Sequence, residues 1–197
     1  MLNDRQRAAR LRPLGVAVAV GGLTGLVLAG GGSRLAMRLV AVADEREDFG
    51  VRTDAGAVVG DVTLGGTVSV LLTGAALGVL GALVYLGLRR WLPRRTAYCT
   101  LVFALVILGL GLGVVIEGNQ GDFVFLNTVV SVVSFAVVLL LYAVAVPPLL
   151  ERFVPRAAGR SSWGRGLVGV IVVLALTFGA LAVKHAFEFA DGSRLPS

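Results

Sequence analysis

Five long apolar stretches, separated by short charged segments, dominate the pattern of residues along this chain. The first runs from Leu14 to Gly32 (LGVAVAVGGLTGLVLAGGG) and contains no charged residue. A helix over this stretch rises about 30 Å, which matches the thickness of the hydrocarbon core of a bilayer. Four similar stretches follow, so the pattern predicts an all-α membrane protein, a bundle of five transmembrane helices over residues 14–32, 67–88, 97–116, 123–146 and 166–183.

The connections between these spans are short, so we predict a single integral membrane domain over residues 1–197. The longest connection is an outer loop over residues 44–66, whose glycines indicate turns. Its apolar part, residues 55–66, either lies in the interface or re-enters the membrane. The first span is either retained or cleaved as a signal peptide, and its length favours retention.

Glycines spaced four residues apart predict which spans pack closely, because small residues let helix backbones approach each other within a bilayer. Such pairs predict a tight centre formed by the first three spans, or a seam for self-association; the pairs are Gly21–Gly25, Gly74–Gly78 and Gly109–Gly113. The fourth span is rich in Val and Leu and is predicted to be more peripheral. Pro147 and Pro148 are predicted to end it.

The distribution of charge predicts the orientation. Of the 18 basic and 12 acidic residues, twelve basic and two acidic ones fall in the segments predicted to be inside, for a net charge of +10 inside and −4 outside. By the positive-inside rule, the N-terminus is cytoplasmic and the C-terminus is outside, in the plasma membrane. The inner arginines, with Trp91 and Trp163, are predicted to contact anionic lipids of the cytoplasmic leaflet. The high pI of 10.7 therefore indicates the lipid bilayer, and not nucleic acid, as the partner.

The chain contains one cysteine, Cys99, and one histidine, His185, and they belong to opposite ends of the predicted bundle. Within one chain this excludes a Cys/His zinc cluster, a bis-His haem site and a Cys–His nucleophile pair. We predict no cofactor, no metal site and no catalytic residue, which argues against an enzyme without excluding one.

Polar residues cluster in the outer half of the predicted bundle. Asn127, Ser131 and Ser134 form one stripe down the fourth span, because they lie at positions i, i+4 and i+7. The functional interpretation is an outward-facing vestibule that binds a small or anionic ligand, formed by Arg34, Arg38, Asp61, Glu117, Asn127, Ser131, Ser134, Lys184 and His185.

The alternative interpretation is structural. The hydroxyl and amide groups then bond other helices or their own helix carbonyls, and the arginines pair with Glu117, Asp61 or lipid phosphate. His185 is interpreted either as a member of a proton-linked pair with Glu188 or as a helix-end residue.

Three classes of function follow from this pattern. The favoured class is a small structural or accessory membrane protein that acts with a membrane-protein partner or as a homo-oligomer. The alternative is a subunit of a small-solute or anion transporter or channel. A membrane enzyme acting on a lipid-linked substrate is the third. No motif in the sequence identifies a substrate or partner.

Overall fold

The computed structural model describes residues 4–43, 63–92, 95–119, 127–154 and 162–192. These residues are almost entirely helical and contain no strand, and five helices among them are long and apolar enough to cross a membrane. Their mean hydropathy lies between 1.9 and 2.8. The predicted five-helix, all-α architecture is thereby confirmed. Asp61 and most of the outer loop lie outside the described residues.

The helices are close to the predicted spans but longer. In chain order they are α1 (Asp4–Thr24), a π-helical segment (Gly25–Gly31), α2 (Gly32–Ala43), α3 (Leu64–Leu88), α4 (Thr96–Glu117), α5 (Thr128–Phe153) and α6 (Ser162–Gly192). The first three are continuous and together form the first span. We call one end of the bundle, at Ala43, Thr63, Glu117 and Asn127, the predicted outer end, and the opposite end the predicted inner end.

A glycine seam joins the first two spans, as the sequence predicts. A Cβ atom at Gly21 would lie 2.5 Å from the carbonyl oxygen of Gly78, and one at Gly25 would lie 2.7 Å from the Cα of Gly78. Backbone therefore meets backbone along this seam, and no side chain larger than hydrogen fits.

The glycines of the third span pack against α6 and not against this seam, so that part of the prediction is wrong. A Cβ at Gly179 of α6 would lie 2.7 Å from the carbonyl oxygen of Gly109 of α4, and Ala175 also contacts Gly109. The reason is that Ala175 and Gly179 are small residues four apart on the fifth span, and they let its backbone approach Gly109 closely. The bundle has two tight helix pairs, α1 with α3 and α4 with α6.

The fourth span connects these two pairs, so the prediction that it is peripheral is also wrong. Helix α5 packs against α1 and α2 on one side and against α4 on the other. Its large side chains fill notches left by glycines of the neighbouring helices. Val138 lies against Gly32, Leu139 against Gly111 and Tyr142 against Gly81.

Helix α5 also continues through Pro147 and Pro148 to Phe153, contrary to the predicted stop at Val146. Side chains of other helices hold its last turns. Tyr85 and Thr96 donate hydrogen bonds to the carboxylate of Glu151, the latter over 2.9 Å, and Arg89 donates to the carbonyl oxygen of Val154 over 2.8 Å. These contacts fix the last turns of α5, whose backbone lacks the two hydrogen bonds that the prolines cannot donate.

Candidate functional site

The residues of the predicted vestibule lie in three separate places at the predicted outer end. Arg34 lies between α2 and α3, the polar stripe lies on α5, and the His185 group lies on the α4–α6 pair. Asp61 falls outside the described residues. Only the first place contains buried nitrogen atoms of a charged side chain that have no hydrogen-bond partner among the described residues.

The π-helical segment sets the direction in which Arg34 points. Gly25 and Gly30 both pack against α3, although they are five residues apart, because a π-helix places residue i+5 near residue i. Thr24, at the start of the segment, donates a hydrogen bond to the carbonyl oxygen of Val20 over 2.6 Å. Regular helix resumes at Gly32, and Arg34, four residues after Gly30, shares the face of Gly30 and is directed at α3.

Arg34 reaches the first turn of α3. A Cβ atom at Gly66, the third residue of α3, would lie 2.7 Å from Nη2 of Arg34. Thr63 caps this turn, since its side-chain oxygen accepts a hydrogen bond from the N–H of Gly66 over 3.2 Å. The guanidinium therefore lies beside the positive end of a helix dipole.

The guanidinium is not neutralised in the described part of the chain. The side chain of Arg34 is half-buried, and its Nε and Nη2 atoms are buried with no hydrogen-bond partner among the described residues. Two positive features, the arginine and the helix N-terminus, thus adjoin each other with no acid bonded to either among the described residues. Such an arrangement attracts an anion.

Arg38 differs from Arg34 although both lie on one face of α2. It is one turn further toward the predicted outer end and is exposed. Because Arg34 already lies level with the first turn of α3, Arg38 extends past the start of that helix. The two arginines are therefore not equivalent, which the sequence alone does not reveal.

The polar stripe on α5 has structural features. Asn127 is the N-cap of α5, and its side-chain oxygen accepts a hydrogen bond from the N–H of Val130 over 3.2 Å. Ser131 is 2% exposed, and its hydroxyl oxygen has no hydrogen-bond partner within the described ranges. Ser134 is half-buried.

This stripe does not share a surface with Arg34. Ser131 lies seven residues before Val138 and thus on the same face of α5, and Val138 contacts Gly32 of α2. Gly32 and Arg34 are two residues apart, which corresponds to about 200° around the helix. Helix α2 therefore separates the stripe from the guanidinium.

The third place is formed by the end of α4 and the last turns of α6. Nδ1 of His185 lies 3.2 Å from the carboxylate of Glu117, and Nζ of Lys184 lies 3.3 Å from the carboxylate of Glu188. Glu117, His185, Glu188 and Phe189 line an open depression of about 400 Å³. Within the described ranges, no group of three or more His, Cys, Asp or Glu residues is arranged to hold a metal ion.

No family model matches the chain, and comparisons with curated proteins and with solved structures find no similar protein. The candidate site therefore stands on its geometry. Of the three places, Arg34 is the one where two buried nitrogens of a charged side chain lack a hydrogen-bond partner among the described residues, which is energetically costly.

Sequence reasoning missed the polar cluster at the predicted inner end. Tyr85 is fully buried, and its hydroxyl is bonded to Glu151, which also accepts a hydrogen bond from Thr96. The signal was present, because Glu151 lies one turn after Pro147. A helix that ends at the two prolines, as the sequence predicts, would instead place Glu151 in a loop.

Proposed function

We propose that this protein is a multi-pass protein of the cytoplasmic membrane that binds an anionic ligand at its outer face through Arg34. This is the transporter or channel-subunit class among the three that the sequence leaves open. The observation that carries the proposal is the buried edge of the Arg34 guanidinium beside the first turn of α3, for which the described part of the chain gives no hydrogen-bond partner. A bound anion supplies the missing acceptor and offsets the cost of burying the charge.

The orientation is part of the proposal. With twelve basic residues in the segments between the predicted inner ends of the spans, the N-terminus is cytoplasmic and the C-terminus outside. The Arg34 site then faces the exterior, and the arginines at the inner face contact anionic lipid headgroups.

Five helices whose interior is filled by glycine-mediated contacts leave little room for a pathway within one chain. We therefore propose that any transport takes place in a homo-oligomer or together with a membrane-protein partner. The second candidate is an accessory protein without a ligand of its own. Its support is the cap formed by Asn127 and the close packing of the glycine seams, both of which give polar and small residues a structural role.

The test compares Arg34→Gln with Arg38→Gln, since the two residues share a helix face but differ in burial. Each purified protein is titrated with chloride, acetate or inorganic phosphate at constant ionic strength, and its thermal unfolding is followed. A ligand that binds only the folded state raises Tm in a saturable manner. We expect at least one of these anions to do so for the wild type and for Arg38→Gln, but not for Arg34→Gln.

The opposite result is equally clear. If no anion produces a saturable shift in the wild type, or if Arg34→Gln responds as the wild type does, the anion-binding proposal is wrong. The accessory role is then the better explanation. Comparing the unfolding of each variant without added anion checks that Arg34→Gln still folds.

A further inference from the structure

His185 connects α6 to the last turn of α4 at the predicted outer end. Its Nδ1 lies 3.2 Å from a carboxylate oxygen of Glu117. The neighbouring residues Ile116 and Ala186 are buried in the contact between the two helices. Helix α4 ends here, with Gly118 as its C-cap, whereas α6 continues for about two more turns. The pair therefore lies at the last level at which α4 and α6 run side by side.

The end of α4 favours a positive charge at this place for two reasons. The carboxylate of Glu117 is within hydrogen-bond distance of the imidazole. The carbonyl groups in the last turn of a helix also carry a partial negative charge, which stabilises a cation nearby. A protonated imidazole donates from both ring nitrogens and is attracted to both features, whereas a neutral imidazole keeps at most a hydrogen bond.

The charged groups around His185 keep their charge where histidine changes it. Lys184 and Glu188, which flank it on α6, lie 3.3 Å apart and pair with each other along their own helix. Helix α5 also packs against this part of α6, but its titratable side chains belong to its inner half: Tyr142, Glu151 and Arg152. Histidine is the side chain whose charge ordinarily changes between pH 5 and 8, and His185 is the only histidine of the chain.

We infer that His185 and Glu117 form a pH-dependent contact that holds the outer end of α6 against α4. The charged pair exists only while His185 is protonated, so its stabilisation is present at about pH 5.5 and is lost as the pH rises toward about 8. The open depression lined by Glu117, His185, Glu188 and Phe189 adjoins the contact, which therefore controls how freely the end of α6 moves beside it. This inference does not depend on the Arg34 site.

The first experiment follows thermal unfolding of the full chain in an uncharged detergent at about pH 5.5 and about pH 8. The wild type is compared with Glu117→Gln, His185→Gln and the matched control Glu188→Gln. We expect the Tm of the wild type to fall by about 1–3 °C more over this range than that of Glu117→Gln or His185→Gln, because each of these lacks one partner. Glu188→Gln should keep the response of the wild type, because its carboxylate pairs with Lys184.

A second measurement reports on the end of α6 without unfolding the protein. A nitroxide label is attached to Phe187→Cys, whose position is 41% exposed, while the native Cys99 is fully buried. We expect the label to become more mobile between about pH 5.5 and about pH 8, and this change to disappear when Glu117→Gln is added. A label at Leu167→Cys, at the other end of α6, is the control and should not respond to pH.

The inference is overturned if His185→Gln or Glu117→Gln shows the same pH response as the wild type in both measurements. It is also overturned if Glu188→Gln removes the response and Glu117→Gln does not, since His185 would then act within α6 alone. A label at Phe187→Cys that is equally mobile at both pH values contradicts the proposed control of the end of α6.

Discussion

The hydroxyl of Tyr142 on α5 donates a hydrogen bond to the carbonyl oxygen of Gly78 on α3 over 2.5 Å. Gly78 is also the residue against which Gly21 and Gly25 pack. One residue of α3 therefore receives α1 on one side and a hydroxyl of α5 on another. This bond connects the bridging helix to the glycine seam of the first two spans.

Replacing Tyr142 with Phe tests this connection. The ring remains and keeps its contacts with Gly81 and Phe103, so only the hydrogen bond is lost. Interhelical hydrogen bonds in membranes contribute about 0.6 kcal/mol on average, and we expect a loss of about 1 kcal/mol in the free energy of unfolding. Tyr98→Phe is the control, since Tyr98 is 49% exposed. Equal stability of the two variants would show that the bond contributes nothing.

The glycine seam makes a stronger prediction. In Gly78→Ala, the added methyl group would lie 2.5 Å from the Cα of Gly25, so α1 and α3 must separate. Overpacking of this kind costs about 1–3 kcal/mol, and here the clash is with backbone that has no rotamer to change. We expect Gly78→Ala to unfold at a clearly lower temperature than the wild type in the same detergent.

Gly87→Ala is the matched control on the same helix. A Cβ at Gly87 would meet nothing within 4 Å, and alanine favours helix over glycine by about 1 kcal/mol. Its Tm should equal or exceed that of the wild type. If both alanine variants behave alike, the seam is not closely packed.

Glycine spacing predicted this seam because close contact between helix backbones requires small residues at regular four-residue intervals. Glycine spacing does not identify the partner of Gly109, because that partner on α6 combines Ala175 with Gly179 and is not a pair of glycines. The position of α5 was missed because Val and Leu are equally compatible with lipid and with a neighbouring helix. Only the notches opposite them, at Gly32 and Gly111, decide between the two environments.

The sequence predicted which polar and charged residues lie at the outer end of the bundle, but not which of them lie close together. Arg34 and Arg38 have the same residue type and the same helix face, so no pattern separates them. Their difference depends on where α3 begins and on the π-helical segment, which changes the rotation of α2. In the sequence, the π-helical segment is indicated only by the five-residue spacing of Gly25 and Gly30. This spacing can be interpreted only when both glycines are known to face α3.

A deletion tests the role of the π-helical segment. A short π-helical segment accommodates about one extra residue in an α-helix, so removing Val27 should convert the segment to regular helix. Gly25 and Gly30 would then be four residues apart and still face α3, with Arg34 one turn further. Since Val27 is 61% exposed, little packing is lost. We expect the Val27 deletion to fold and to keep the anion response of the wild type.

Deleting Val18 is the comparison, because it is 49% exposed but lies in regular α-helix. Its loss rotates all preceding residues by about 100° relative to the glycine seam and turns Ala17 away from the core. Thermal unfolding should show a much lower stability than for the Val27 deletion. Equal damage from both deletions would mean that the π-helical segment is not an accommodated extra residue.

The last prediction concerns Glu151, which holds the end of α5 beyond its two prolines. In Glu151→Ala, the buried hydroxyl of Tyr85 and the hydroxyl of Thr96 both lose this acceptor. Hydrogen bonds to a charged group contribute about 1.5–3 kcal/mol, so the loss of free energy of unfolding should reach that range. Arg152→Ala, at the neighbouring exposed position, should change stability little.

A double variant separates this explanation from a general effect of removing a charge. If the cost arises because the Tyr85 hydroxyl is left buried without this acceptor, adding Tyr85→Phe to Glu151→Ala should restore part of the stability. The ring would keep its edge-on contact with Phe103, whose centroid lies 5.2 Å away. If the two losses simply add, the carboxylate stabilises α5 independently of Tyr85. The helix then continues past Pro147 and Pro148 for a reason other than this hydrogen bond.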